Sequence, residues 1–305
     1  MTARQAYLGA AIVMVAAALT TVVGQRAPAT PGEWMSYGGD ASNAKYSSLA
    51  EVDASNAKDL RIAWRWSSPD NEIAKALGRH LNLFEATPVA FDGSLYVATG
   101  LHQVASIDAR TGTTRWVYDP GIYKRGTPQR LGFVHRGVTL WPPGGRVFLA
   151  SGDGYLTALD ITTGLPIGDF GQRGRVDLLE GLRRPVERFQ FGVNSPPIVV
   201  GDVVIVGSFV QDGWRTMQGL PGDVRGYDAR SGKRLWTFHT IPEGGEDGAE
   251  TWKNESWKYS GSTNVWTVMS ADEELGYVYL PTSTPTNDHY GGHRPGDNLF
   301  AESVV

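Results

Sequence analysis

Two histidines, His289 and His293, stand four residues apart in the segment HYGGH. On an α-helix this spacing would place both imidazoles on one face, where they could bind a metal ion. The two glycines between them argue against a helix, so we expect no metal site here.

The 305 residues include no Cys and no GxGxxG, P-loop, HExxH or GxSxG motif. Thiolate-zinc, nicotinamide, nucleotide, zinc-protease and serine-hydrolase chemistry therefore lack support in the sequence.

The composition favours an all-β protein. The chain is 41 % hydrophobic, which is enough for a substantial core, and its 38 Gly and 17 Pro are too many for a helical bundle. The formal net charge is −4, and the Lys and Arg residues are scattered along the chain. Since a phosphate backbone would demand a basic stripe, we expect no nucleic-acid partner.

A ten-residue motif recurs in the chain and must help to position any site. The segments IDARTGTTRW (107–116) and YDARSGKRLW (227–236) share Asp, Gly and Trp at offsets of four and eight. A third copy, LDITTGLPIG (159–168), keeps Asp and Gly but has Gly168 in place of Trp. The Asp can accept hydrogen bonds from the turn that it opens, and the Gly can take the positive φ of the return. The Trp then lies on the returning strand, where its ring can fill the gap between two sheets.

Each copy of the motif follows a segment that is typical of a β-strand. These segments are GSLYVATG (93–100), GRVFLASGDG (145–154) and DVVIVGSF (202–209), and a fourth, LGYVYLPTS (275–283), precedes the C-terminus. The repeated unit is a four-stranded sheet that cannot cover its own faces, which is typical of a propeller blade. A sandwich of unrelated hairpins would not explain the fixed offsets. We therefore predict an all-β propeller with four blade beginnings.

The N-terminus predicts export. Arg4 precedes an apolar run from Tyr7 to Val23, and small and polar residues follow it. This order is typical of a secretory signal, so residues 1–25 are predicted to be a signal peptide. An uncleaved membrane anchor is the alternative, because the run has nearly the length needed to span a bilayer. Both interpretations place residues 26–305 outside the cytoplasm.

Four longer segments are informative beyond the repeat: WMSYGGDASNAKYSSLAEVDASNAKDLRIAWRW, GVNSPPIVVGDVVIVGS, GDVRGYDARSGKRLW and VYLPTSTPTNDHYGGHRPGDN. By these segments the chain resembles, from Trp34 to Val305, the quinoprotein dehydrogenases, which are eight-bladed propellers that use pyrroloquinoline quinone (PQQ). The sugar and polyol enzymes of the membrane glucose dehydrogenase type look most similar. Alcohol-type members carry adjacent Cys residues, and this chain has none. The resemblance implies that residues 26–305 form about the first half of such a propeller and end inside a blade.

The resemblance also implies a cofactor site. Trp266 matches the aromatic floor beneath PQQ, and Arg136 matches the Arg beside the PQQ carboxylates. Glu85 matches a Glu that approaches the quinone oxygens. Asn194 stands where relatives carry a Thr against a cofactor carboxylate. These four residues are the predicted PQQ-binding set.

A hard cation beside the quinone, Ca²⁺ or Mg²⁺, is implied as well. Asp212 falls where the family places an acidic or amide ligand, and Thr284 falls at the next position near the metal. Both residues supply oxygen ligands, which such cations prefer. No catalytic residue is predicted, because the general base of the family would lie beyond Val305. We therefore expect residues 26–305 alone to be inactive.

The implied function is PQQ-dependent oxidation of an alcohol group on a sugar or polyol in the periplasm, by a protein that is free or tethered to the inner membrane. Electrons would pass to a membrane quinone or a periplasmic cytochrome. The alternative is a non-catalytic periplasmic propeller scaffold of the outer-membrane assembly type. Trp266, Arg136 and Asp212 distinguish the two, since a scaffold has no reason to keep all three.

Overall fold

The computed structural model describes residues 32–78, 81, 83–128, 132–210 and 217–305. The predicted signal peptide or anchor (1–25) therefore lies outside the described residues. Within the described part, no helix has the length and hydrophobicity that crossing a membrane requires.

Strands dominate the described part of the chain. They are β1 (Val89–Phe91), β2 (Ser94–Ala98), β3 (Val104–Asp108), β4 (Thr114–Tyr118), β5 (Thr139–Trp141), β6 (Arg146–Ala150), β7 (Tyr155–Asp160), β8 (Arg175–Asp177), β9 (Phe191–Gly192), β10 (Ile198–Val200), β11 (Val203–Val206), β12 (Phe209–Val210), β13 (Val224–Asp228), β14 (Arg234–Phe238), β15 (Ser270–Asp272) and β16 (Tyr277–Tyr279). The α-helix α1 spans Asp70–Ala76, and short 3₁₀ helices span Ala57–Asp59, Ile122–Lys124, Pro142–Gly144, Ala249–Thr251, Lys253–Lys258 and Gly291–His293.

The strands form antiparallel sheets that follow one another along the chain. The first sheet has the order β1-β2-β3-β4, the second β5-β6-β7-β8 and the third β10-β11-β13-β14. Strands β15 and β16 pair as a hairpin, and the short strands β9 and β12 pair with each other. Consecutive pairing of four strands in each sheet is the arrangement of a propeller blade.

Hydrophobic side chains fill the spaces between successive sheets. One core cluster joins the first and second sheets and includes Val89, Tyr96, Val147 and Leu159. A second cluster joins the second and third sheets, and a third joins the third sheet to the β15–β16 hairpin. Each sheet thus buries its faces against its neighbours, because a single four-stranded sheet cannot do so alone.

The Asp of the repeated motif closes the turn between the last two strands. Asp108 Oδ1 accepts hydrogen bonds from the backbone N–H groups of Arg110 (3.1 Å) and Thr111 (2.9 Å). Gly112 then has a φ of +73°, which a residue with a side chain rarely adopts. The copies that begin at Asp160 and Asp228 form the same two hydrogen bonds. The turn chemistry predicted from the sequence is therefore present in all three sheets.

The Trp of one copy packs on the Gly of the next. A Cβ added to Gly164 would lie 2.5 Å from the Trp116 ring, so only glycine permits this contact. Trp116 Nε1 donates to the carbonyl oxygen of Ile161, 3.3 Å away. Trp64 occupies the equivalent place on Gly112, where an added Cβ would lie 2.6 Å from its ring. The fixed offsets of the motif thus reflect contacts between sheets as well as the turn itself.

The motif that lacks Trp uses another residue. Gly168 stands where the other two copies have Trp and has no side chain that could cover a neighbouring turn. Phe170, two residues later, is fully buried. A Cβ on Gly232 would lie 3.2 Å from the Phe170 ring and 2.8 Å from a methyl group of Val176. Phe170 and Val176 therefore cover the turn glycine of the third sheet.

Candidate functional site

The four predicted PQQ-binding residues occupy equivalent positions in the fold. Glu85 lies four residues before β1, Arg136 three before β5, Asn194 four before β10 and Trp266 four before β15. Each of these strands is the first of its sheet or hairpin. Because the first strands of propeller blades begin at the same end of the molecule, the segments before them meet there. Positions far apart in sequence are brought together in this way.

Arg136 is the centre of the arrangement. Its Nη2 atom lies 2.9 Å from Glu85 Oε2, and its Nη1 atom donates to Ser195 Oγ at 3.2 Å. Its Cζ atom stands 5.3 Å from the centroid of the Trp266 ring, within the range of a cation–π contact. The Arg136 side chain is 15 % exposed and Trp266 is 41 % exposed. A guanidinium is therefore held beside an aromatic ring that is still open to solvent.

Asn194 is buried beside this cluster. Its backbone carbonyl accepts the N–H of Arg136 at 2.9 Å, and the residue is only 3 % exposed. Neither Oδ1 nor Nδ2 has a hydrogen-bond partner among the described residues. A buried amide without partners is unfavourable by a few kcal/mol, so such a group indicates a ligand or an ordered water. Asn194 also lines a small cavity together with His102 and Phe209.

Arg136 directly follows His135, one of two buried histidines that contact each other. His135 Nε2 is 2.7 Å from the carbonyl oxygen of Ala150, and its Nδ1 accepts the N–H of Gly137. The ring of His102 stands edge-on to that of His135 at 4.8 Å. Burial lowers the pKa of His135 to about 4, and burial with the neighbouring His135 lowers the pKa of His102 well below its ordinary value. Both imidazoles are therefore neutral at pH 7.

The structure describes only one of the two predicted metal ligands, Thr284. Asp212 lies outside the described residues. Thr284 Oγ1 donates to Glu302 Oε1 at 2.6 Å, and its carbonyl oxygen accepts the N–H of Thr263, three residues before Trp266. Among the described residues, no group of three or more His, Asp or Glu side chains is arranged to hold a metal ion. The metal roles of Asp212 and Thr284 stay predictions.

The residues around Arg136 fit a flat ring that bears carboxylates. Trp266 has open surface against which a ring can stack. A guanidinium has five N–H donors, so donors remain on Arg136 after its contacts with Glu85 and Ser195. The unpartnered amide of Asn194 supplies a further donor and an acceptor. This donor set suits an anionic planar cofactor.

Sequence reasoning missed Ser195. This residue is 4 % exposed, and its hydroxyl joins Arg136 to the backbone of Trp266. It lies directly after Asn194, in the segment before β10. This segment corresponds to those that carry Glu85, Arg136 and Trp266, so its position in the repeated unit could have identified Ser195. Arg184 was missed as well; its Nη1 donates to the carbonyl of Tyr259 at 2.7 Å and holds the segment that leads to Trp266.

Comparisons with known proteins agree with this architecture. Residues 34–305 match the family model described as the PQQ glucose/ethanol/alcohol dehydrogenase β-propeller domain. The chain is 32 % identical to a quinohemoprotein alcohol dehydrogenase of Pseudomonas putida over 90 % of its own length, and 28 % identical to a quinoprotein glucose dehydrogenase of Gluconobacter oxydans over 94 %. It covers 37 % of each of these relatives, so it spans a little over a third of their length.

A solved structure leads to the same conclusion. The quinohemoprotein alcohol dehydrogenase of Comamonas testosteroni superimposes with a TM-score of 0.72 and 29 % identity, over 90 % of this chain and 39 % of that one. The predicted all-β propeller of the quinoprotein type, present here in part, is confirmed. The chain accordingly belongs to the PQQ-type glucose/ethanol/alcohol dehydrogenase β-propeller family.

Proposed function

We propose that this protein oxidises an alcohol group on a sugar or polyol, with PQQ as its cofactor. The observation that carries the proposal is the Arg136 guanidinium held over the solvent-accessible Trp266 ring. Asn194 is bonded to Arg136 through its backbone, and its buried amide has no hydrogen-bond partner among the described residues. Membership of a family whose relatives are named alcohol, glucose and glycerol dehydrogenases supports it. The non-catalytic scaffold is less well supported, because a scaffold gains nothing from leaving a buried amide unpaired.

Each residue of the cluster has a task in binding. The open surface of Trp266 stacks against the flat ring system. Arg136 donates its remaining N–H groups to a cofactor carboxylate, for which a planar guanidinium is suited. Asn194 donates from Nδ2 to a second polar atom of the cofactor and so gains the partner that it lacks. Glu85 forms a 2.9 Å ion pair with the guanidinium.

The remaining features of the proposal follow the family. When bound, PQQ supplies a two-electron acceptor for the hydride of the alcohol carbon. Asp212 and Thr284 would offer oxygen ligands to Ca²⁺ or Mg²⁺ near the quinone. The protein would work in the periplasm after export by its N-terminal segment, and a membrane quinone or a periplasmic cytochrome would take the electrons.

The experiment has a binding arm and an activity arm. PQQ is titrated into the intact protein while quenching of tryptophan emission is followed, for wild type, Trp266→Ala and the control Trp236→Ala. Trp236 is 37 % exposed, close to the 41 % of Trp266, but it lies on β14. We expect the loss of stacking to weaken binding by about tenfold or more in Trp266→Ala only.

The activity arm measures dye reduction in the presence of PQQ and Ca²⁺ by a protein that includes the general base, since residues 26–305 alone are expected to be inactive. Glucose, glycerol and ethanol are compared as substrates, and we expect faster turnover with the sugar or polyol. Absence of saturable PQQ binding by the wild-type protein would refute the proposal. Binding with turnover of ethanol alone would keep the cofactor and reject the substrate class.

A further inference from the structure

The hydroxyl of Ser195 touches both halves of the candidate cofactor site. Its oxygen accepts a hydrogen bond from Arg136 Nη1 at 3.2 Å, and its proton is donated to the carbonyl oxygen of Trp266 at 2.7 Å. Arg136 precedes the second sheet, Ser195 precedes the third, and Trp266 precedes the β15–β16 hairpin. One side chain therefore joins three consecutive parts of the propeller at the place where a ligand would bind.

The backbone around Ser195 restricts where this hydroxyl can lie. Ser195 is followed by Pro196 and Pro197, whose rings fix their own φ angles and restrict the residue before them. The carbonyl of Pro197 accepts a hydrogen bond from Thr139 Oγ1 at 2.5 Å, which ties the segment to β5. Ser195 is 4 % exposed, so water does not compete freely for its hydrogen bonds. The hydroxyl is therefore already in place before a ligand arrives.

Without the Ser195 hydroxyl, Arg136 and Trp266 would each lose one of the contacts that hold them in place. Arg136 has a long, flexible side chain, and besides its hydrogen bond to Ser195 its guanidinium forms an ion pair with Glu85, which is 35 % exposed. Exposed ion pairs hold a side chain only weakly. The segment that carries Trp266 is fixed from its other side, because Ser208 N–H donates to the carbonyl of Val265 at 3.0 Å. Ser195 attaches the same segment at the backbone of Trp266 itself.

We propose that Ser195 is a positioning residue for PQQ binding: it sets the orientation of Arg136 over Trp266, so that stacking and carboxylate recognition occur together. This inference rests on the proposed function. A ligand that meets a preformed pair does not lose affinity in ordering it. Ser195 itself need not touch the cofactor, since it acts through the two residues that it joins.

The test compares two buried serines in the intact protein. Ser195→Ala removes the link, and Ser106→Ala serves as the control, because Ser106 is 1 % exposed and lies on β3, where its hydroxyl interacts with Tyr96. We expect the Kd for PQQ, from quenching of tryptophan emission, to rise about tenfold in Ser195→Ala, the effect of losing a hydrogen bond to a charged group. The Kd of Ser106→Ala should stay within about twofold of wild type.

A double-mutant comparison separates positioning from a general effect on folding. In an Arg136→Met background, Ser195→Ala should raise the Kd by about threefold or less, because the guanidinium that it orients is gone. An unchanged Kd in Ser195→Ala, equal losses in both serine variants, or a full tenfold effect without Arg136 would each overturn the inference. If wild-type protein binds no PQQ, the proposed function fails, and the inference fails with it.

Discussion

The two junctions between complete sheets solve the same packing problem with different residues. Between the first and second sheets, the Trp116 ring covers Gly164, and its N–H reaches the next turn. Between the second and third sheets, the buried ring of Phe170 lies beside Gly232 instead. The Asp and Gly of the motif are required by the turn itself and persist in both copies. The Trp is required only by the neighbouring sheet, so a different apolar residue can replace it.

Polar contacts at the second junction also differ. Arg146 Nη1 donates to the carbonyl of Arg230 at 2.6 Å, in the Asp–Gly turn of the third sheet. At the first junction, Trp116 Nε1 donates to a carbonyl of the corresponding turn, that of Ile161. The Arg146 guanidinium lies 5.8 Å from the Phe170 ring. A buried arginine and a phenyl ring thus replace a single Trp. Because Phe170 is fully buried, we expect the stability of this junction to depend more strongly on Phe170 than that of the first junction depends on the partly buried Trp116.

The largest expected effect is that of Phe170→Ala. Phe170 is fully buried, and removal of a buried Phe usually lowers the free energy of unfolding by about 3–5 kcal/mol. Trp116 is only partly buried, so Trp116→Ala should lose about 2 kcal/mol. Urea unfolding measures both, with Leu165→Ala as the control because Leu165 is 66 % exposed. Equal losses at Phe170 and Trp116 would contradict the contrast between the junctions.

Gly164→Ala tests the Trp–Gly contact directly. Gly164 has a φ of +72°, and its added Cβ would lie 2.5 Å from Trp116, so we expect a loss of about 3 kcal/mol from backbone strain and overpacking together. Gly201 has a φ of +56° but no described atom within 4 Å of an added Cβ, so Gly201→Ala should lose about 1 kcal/mol. In a Trp116→Ala background the two glycine variants should become similar in urea unfolding. A Gly164 effect that is independent of Trp116 would show that the ring does not define this junction.

At the end near the candidate site, the first junction also contains the His102–His135 pair. The pKa of His135 is lowered to about 4 in the folded protein, whereas an unfolded imidazole titrates near 6.5. The unfolded chain therefore binds more protons between these values, and stability falls as the pH drops from 6.5 to 4, by about 3 kcal/mol for this residue. Titration of His102, whose pKa is also lowered, acts in the same direction.

The check is urea unfolding at pH 7 and at pH 4.5 for wild type and His135→Gln. The glutamine cannot titrate, yet its amide can still donate to the carbonyl of Ala150. The difference in unfolding free energy between the two pH values should be smaller in the variant. An identical pH dependence would mean that other groups, such as carboxylates, account for the acid sensitivity.

The sequence could predict features that depend on local chemistry and repetition. The turns opened by Asp108 and Asp160 and the all-β architecture follow from the motif, and the position of Trp116 between sheets follows from its offset. Phe170 could not be predicted as the substitute for Trp, because it lies outside the repeat and only the packing of sheets selects it.

The candidate site was predictable in its members but not in its connections. The family resemblance identifies Glu85, Arg136 and Trp266, and the structure brings Arg136 into contact with each of the other two; their roles in binding stay predictions. The link through Ser195 depends on the side-chain rotamer of Arg136, which no sequence pattern encodes. That the Asn194 amide lacks a hydrogen-bond partner in the described part of the chain likewise depends on the whole surrounding fold.

The smallest expected effect concerns the Asp of the motif and tests whether the turn is independent of the junction. Asp160 faces the junction where the Trp of the motif covers the turn glycine, and Asp228 faces the one where Phe170 does so, yet each Oδ1 accepts two backbone N–H groups. Removal of a comparable capping side chain usually loses about 1 kcal/mol, so Asp160→Ala and Asp228→Ala should destabilise equally. Asp→Asn at either position keeps the Oδ1 acceptor and should lose a few tenths of a kcal/mol at most. If urea unfolding instead gave a much larger loss at one position than at the other, the turn and the junction would have to be treated as one coupled unit.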